Sequence, residues 1–224
     1  MKQVLVVPAP GEKLNTTPKA VKLFILGATG GIGQHLVRLA LANGHQVTAY
    51  VRSPEKISLA RERLKVIRGD VLHADQMARS MAGHDAVLSS FGPLTVLPST
   101  LRREFGRTLA AAMRQSSVHR LELVSAAFLF QEVGFFGRFL KATLFRQMIP
   151  DMAGMETEVC QSDLDWTIVR PPRLSNGPVT GAYRIEDGNL PPGGFLISRA
   201  DVAHLMISEA EKMRHLRRIV GVAN

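Results

Sequence analysis

Four glycines fall within positions 27–33 of the stretch FILGATGGIGQHL (24–36), directly after an apolar run and directly before a helical period. Fixing a glycine costs backbone entropy, so a cluster at such a junction serves a sharp turn or the close approach of another group. Gly27, Gly30 and Gly33 read G-x-x-G-x-x-G. In that pattern the first glycine permits the tight turn, the second lets the backbone approach a pyrophosphate, and the third lets the helix pack close to the strand. The helix N-terminus then aims unpaired N–H groups at the phosphates. The chemistry implied is dinucleotide binding through Gly27, Thr29, Gly30, Gly31, Ile32 and Gly33. Thr29 adds a hydroxyl, and Gly31 is a glycine outside the triplet.

The end of the second strand selects the dinucleotide. A coenzyme without a 2′-phosphate is usually held there by an acid that accepts from the ribose hydroxyls. Here AYVRSPEK supplies Arg52 and Ser53 and no acid. A guanidinium pairs with phosphate and stacks on adenine, whereas a carboxylate repels the phosphate, so the expectation is NADPH over NADH. Asp70 and Val71, in RGDV after the third strand, are expected at the adenine, with capping of the next helix as the other role open to Asp70. Gly92 and Pro93, after the fourth strand, are expected to let the backbone pass the middle of the coenzyme.

These positions make sense only if the elements around them form one sheet. Apolar runs at 21–26, 45–52, 64–70, 85–92, 120–126, 166–172 and 217–223 read as strands. Helical periods separate them at 33–44, 74–81, 98–116, 152–162 and 200–212. A Pro/Gly-rich segment covers 177–195. Short buried strands alternating with helices predict a doubly wound, parallel α/β sheet, a Rossmann fold, in a single domain over 21–224. Such a sheet binds ligands at the carboxyl ends of its strands, so the substrate pocket is expected in the loops after strands 4–6. Residues 1–20, with three prolines and no helical period, read as an extension.

Composition narrows the partners. No apolar run approaches the ~20 residues of a membrane span, and the N-terminal apolar segment is shorter than a signal-peptide core, so a cytoplasmic protein is expected. Cys160 is the only cysteine, which excludes an intramolecular disulfide and a cysteine-based metal site, and no histidine pair has ligand spacing; no metal is expected. The net charge of +9 attracts anions, yet its clusters at 61–65, 101–107 and 211–218 fit solvated helix surfaces. With 6% aromatic residues and no interleaved pattern, specific nucleic-acid binding is not expected.

Together GATGGIG, VRSPEK, GDV, SAAF, RPPRLSNGPVTGAY and ISRADVA resemble the atypical short-chain dehydrogenases/reductases, in the NAD(P)H-binding branch of biliverdin reductase B and flavin reductase. The resemblance covers nearly all of 21–222. It implies a monomeric or weakly associating reductase that passes hydride from NADPH to flavins, quinones or linear tetrapyrroles. It also implies that backbone at Pro171 meets the nicotinamide carboxamide. Typical members of the superfamily use a Tyr-x-x-x-Lys pair, but Tyr50 and Tyr183 are followed four residues later by Pro54 and Asp187. An alkoxide formed in a dry pocket needs a proton donor, whereas a conjugated acceptor spreads the incoming electrons. The missing pair therefore points to a planar conjugated acceptor. Where the branch has a serine and a histidine suggested to act at the substrate, this chain has Ala126 and Arg173.

Ser125, one residue earlier, is the candidate to hydrogen-bond the nicotinamide or the substrate, unless backbone satisfies it. Arg173 is the candidate cation for charge developing on the acceptor, unless it pairs with a loop acid. Phe128, Phe130, Phe135 and Phe136 could stack a planar acceptor or simply pack, Tyr183 is expected to pack this segment, and Asp201 to cap its helix. Two other readings stand beside the reductase: an NADP(H)-binding sensor of the NmrA type, and an isomerase or epimerase of the same superfamily.

Overall fold

The computed structural model describes residues 20–92, 99–130 and 146–224. Most of the expected extension, together with Pro93, Phe135 and Phe136, lies outside the described residues. In chain order the elements are β1 (Lys22–Leu26), α1 (Gly31–Ala42), β2 (Gln46–Val51), β3 (Leu64–Arg68), α2 (Ala74–Met81), β4 (Ala86–Ser89), α3 (Leu101–Ser116) and β5 (Arg120–Val124). They continue with α4 (Ile149–Cys160), β6 (Asp165–Arg170), β7 (Arg173–Ser175), β8 (Arg184–Asp187), β9 (Leu196–Ser198), α5 (Arg199–Lys212) and β10 (Arg218–Ala223).

The main sheet has the order β3-β2-β1-β4-β5-β6-β10-β8. Every pairing in it is parallel except β8 against β10. Strand β1 shows why both faces are covered. Leu23 and Ile25 pack with Leu36 and Val37 of α1 and Val202 and Leu205 of α5, while Phe24 and Leu26 pack with Met77 of α2, Phe105 and Leu109 of α3 and Met155 of α4. An apolar run without alternation is what a strand buried on both faces requires. Strand order reverses between β1 and β4, so the crevice at their carboxyl ends is the place for a ligand.

The structure departs from the sequence reading in three places. The sheet is not wholly parallel, because β8 runs back along β10 out of the Pro/Gly-rich segment. Strands β7 and β9 form a separate parallel ribbon, with Arg173 opposite Leu196 and Ser175 opposite Ser198. Strands of three residues are too short to show a period, and their partners are remote in sequence. Finally, the basic residues are not all solvated. Arg102 is 3% exposed and lies 3.4 Å from Asp151, whose carboxylate also accepts the backbone N–H of Arg102 and Arg103 at the start of α3.

Candidate functional site

The glycine loop has the conformation its spacing implies. Gly27 has φ +77°, and a Cβ there would fall 2.8 Å from the backbone of Ser90. The Gly30 N–H donates to the Gly27 carbonyl at 2.9 Å, closing the turn. A Cβ on Gly33 would lie 2.0 Å from the Gly27 oxygen, so only glycine lets α1 sit this close to the loop. Helix α1 begins at a Gly30 cap with no side-chain hydrogen bond and has no acid in its first turn. The N–H groups of its first turn have no acceptor within the helix, the arrangement that favours an anion. Ile32 is buried in the core, so its part in such a contact falls to the main chain. Thr29 uses its carbonyl to accept from Gln34 Nε2 at 3.2 Å.

Arg52 projects from the end of β2, exposed, and its guanidinium has no hydrogen bond or ion pair among the described residues. The nearby acid, Glu55, is engaged by Arg68 at 3.3 Å. Ser53 opens a short 3₁₀ turn over Pro54–Lys56. Asp70 does not cap the next helix: its Oδ1 accepts the Leu72 N–H at 3.0 Å in a local turn, and the cap position of α2 is His73. Val71 is buried, and the Asp70 carbonyl accepts from Tyr50 Oη at 3.2 Å. At Gly92 nothing among the described residues lies within 4 Å of a Cβ.

At the ends of β5 and β6 the Ser125 N–H donates to the Val169 carbonyl at 2.8 Å, so backbone satisfies the main chain of Ser125. Its hydroxyl is different: Ser125 is 7% exposed and its Oγ has no partner among the described residues. Pro171 is buried, with its carbonyl accepting from the Ala127 N–H at 3.0 Å. Phe130 is buried beneath the Arg170 guanidinium, 4.7 Å from the ring centroid, and Glu156 holds that arginine from the other side at 3.0 Å. Phe130 thus packs the loop and is not open for stacking, whereas Phe128 is half-buried. Arg173 is exposed at the start of β7 with no ion pair to a loop acid among the described residues.

Neither tyrosine serves this end of the site. Tyr50 is buried under Asp70, and Gly69 is glycine because a Cβ there would strike the Tyr50 ring at 2.0 Å. Tyr183 is buried with its Oη 2.8 Å from His204 Nδ1. Burial raises the pKa of both phenols, which keeps them neutral. Asp201 is not the helix cap either. Ser198 caps α5, accepting the Asp201 N–H at 2.8 Å, while the Asp201 carboxylate accepts the N–H groups of Thr180 and Gly181 at 2.7 and 2.9 Å. Sequence spacing gives no signal for Arg199, whose side chain lies across Gly31. That contact joins residues from opposite ends of the chain.

A doubly wound sheet with an open glycine loop at its crevice defines an NAD(P)-binding Rossmann protein of the oxidoreductase type. The chain belongs to the family described as NAD(P)H-binding, whose profile matches residues 27–212. It is 27% identical to YwnB of Bacillus subtilis over 206 residues, covering 87% of this chain and 94% of YwnB. It is 30% identical to the chloroplastic protein At2g34460 of Arabidopsis thaliana over 190 residues, covering 79% of this chain and 67% of that one. Among solved structures, one from Burkholderia pseudomallei superposes with TM-score 0.77 at 25% identity over 91% of this chain and all of that one. ChuY of Escherichia coli O157:H7, described as an anaerobillin reductase, shares the fold at TM-score 0.73 and 21% identity over 90% of this chain and 96% of its own. Among the described residues no helix is long and apolar enough to cross a membrane.

Proposed function

We propose that the protein is an NADPH-dependent reductase passing hydride to a planar conjugated acceptor, with free flavin as the leading candidate and a quinone or tetrapyrrole-like molecule next. One observation carries this reading. Among the described residues the ends of β5 and β6 offer an unpartnered Ser125 hydroxyl and an unpaired Arg173 cation, while both tyrosines are buried and bonded elsewhere. A site in which neither tyrosine can act as the acid suits an acceptor that holds the incoming electrons on its own π-system and takes its proton from water.

The residues present fit the coenzyme. The loop at Gly27–Gly33 leaves backbone N–H groups for the diphosphate, and Arg52 is free to pair with the 2′-phosphate. Ser125 Oγ reaches for the nicotinamide carboxamide or the acceptor, with the Pro171 backbone beside it. Arg173 stabilises negative charge arriving on the acceptor. When bound, the dihydronicotinamide supplies the hydride; the protein contributes proximity and orientation. We further propose action in the cytoplasm as a monomer or weak homo-oligomer.

The test follows NADPH absorbance with purified protein and FMN, riboflavin or a naphthoquinone. Acceptor-dependent oxidation above the uncatalysed rate is expected. Tight NADPH binding without it favours the second reading, a coenzyme sensor, for which Ala126 and the missing acid also speak. Arg52→Glu should weaken NADPH at least about tenfold more than NADH, the scale of one charge-assisted hydrogen bond. Equal losses remove the 2′-phosphate assignment.

A further inference from the structure

Gly31 lies outside the glycine triplet, and its φ is not in the left-handed region, so neither spacing nor backbone conformation explains a glycine there. The space above it is occupied by Arg199, the first residue of α5. A Cβ on residue 31 would fall 2.7 Å from Arg199 Cδ and 2.8 Å from Nε. Arg199 Nη1 donates to Asn176 Oδ1 at 2.6 Å, which fixes the direction of the side chain with a neutral partner. No carboxylate pairs with Arg199 among the described residues.

This is an unfavourable place for a lone cation. The N-terminus of α1 carries the positive end of the helix dipole, and its first turn holds no acid to offset it. His35, one turn into α1, has its pKa lowered by burial first and then by Arg38 and Arg199, so the positive potential extends along the helix. An anion at the first turn of α1 reverses the balance. It accepts from the free N–H groups and from a guanidinium whose planar fork is suited to phosphate oxygens.

We infer that Arg199 is a ligand for the coenzyme diphosphate, aimed by Asn176, and that Gly31 is glycine so that this arginine can cross it. The inference rests on the reading that the loop binds a dinucleotide. It gives the two cations of the site different roles, since Arg52 reads the 2′-phosphate whereas Arg199 grips the part common to both coenzymes.

The test is the dissociation constant of NADPH and of NADH by titration calorimetry, which is independent of turnover. Arg199→Gln should weaken both coenzymes by the same factor, about tenfold or more, as expected for loss of a charge-assisted hydrogen bond. Gly31→Ala should weaken both as well, because its methyl displaces Arg199, and should add little in the Arg199→Gln background. Unchanged binding in Arg199→Gln, or a loss confined to NADPH, overturns the inference. If Arg199→Gln melts early without ligand, Asn176→Ala is the second variant: a shared loss for both coenzymes supports the inference and unchanged constants refute it. A wild-type protein that binds neither coenzyme overturns the dinucleotide reading itself, an outcome distinct from an unaffected Arg199→Gln.

Discussion

A buried hydroxyl with no partner carries a desolvation cost of about 1–3 kcal/mol until something bonds to it. Among the described residues Ser125 Oγ is in that position, and in the proposed role the coenzyme or acceptor relieves the cost. Ser125→Ala should therefore leave the ligand-free protein as stable as wild type or more stable by about 1 kcal/mol, while reducing the stabilisation conferred by NADPH. Urea unfolding with and without NADPH checks this, and a destabilised free variant would mean that the hydroxyl has a partner in the protein. At this scale the glycine turn and the exposed position of Arg52 at the end of β2 are legible in the sequence because they depend on a few adjacent residues. Asp201 and Arg199 are not, since what they touch, Thr180 and Gly181 in one case and Gly31 in the other, comes from other segments. The sequence also singles out four phenylalanines alike, and the Arg170 guanidinium, held over the Phe130 ring and paired with Glu156, marks Phe130 as a packing residue.

Among the elements, the ribbon of β7 and β9 is what sequence patterns conceal, whereas α5, which follows it, is legible as the helical period at 200–212. The ribbon leads from the buried Pro171 along Arg173 to Asn176, and back through Ser198 into α5, so it runs from the carboxyl end of β6 to the glycine loop that Arg199 crosses. Its anchor is Asp201, fully buried, whose carboxylate receives two backbone N–H groups and the Thr180 hydroxyl. Asp201→Ala leaves those N–H groups unpaired and should cost about 3 kcal/mol or more, with Asp201→Asn recovering part of it because one oxygen remains. Equilibrium urea unfolding of the two variants reads the difference. The parallel core strands, by contrast, announce themselves as continuous apolar runs such as LFIL (23–26), because both of their faces are covered.

For the molecule as a whole, three imidazoles set the response to acid. Burial is the leading cause that lowers His35, His84 and His204 below the usual 6.5, so in the folded state each stays neutral where the unfolded chain is protonated. His84 is held between the Met81 carbonyl at 2.7 Å and Thr48 Oγ1 at 2.8 Å. Below 6.5 the unfolded state binds more protons, so this contribution is complete above that pH and declines as pH falls, by at most about 1.4 kcal/mol per unit for each group. Glu122 acts in the opposite sense, since burial raises its carboxyl well above the usual 4.5 despite Arg120. Replacing His84 by Gln isolates one imidazole: the loss of stability between pH 7 and 5.5 should be smaller in the variant than in wild type, measured by urea midpoints. A net charge of +9 adds self-repulsion as further protons bind.

The pairing of α1 with α5 also constrains how the chain is made. The apolar side of α1, with Leu36, Val37 and Ala40, is covered by Val202, Leu205 and Met206 of α5. During translation β1 and β2 are available to this surface early, but the part that α5 covers waits until α5 has left the ribosome. Complete packing of this half of the molecule therefore waits for α5, and a nascent chain stalled before residue 199 leaves apolar surface of α1 open to chaperones or to other nascent chains.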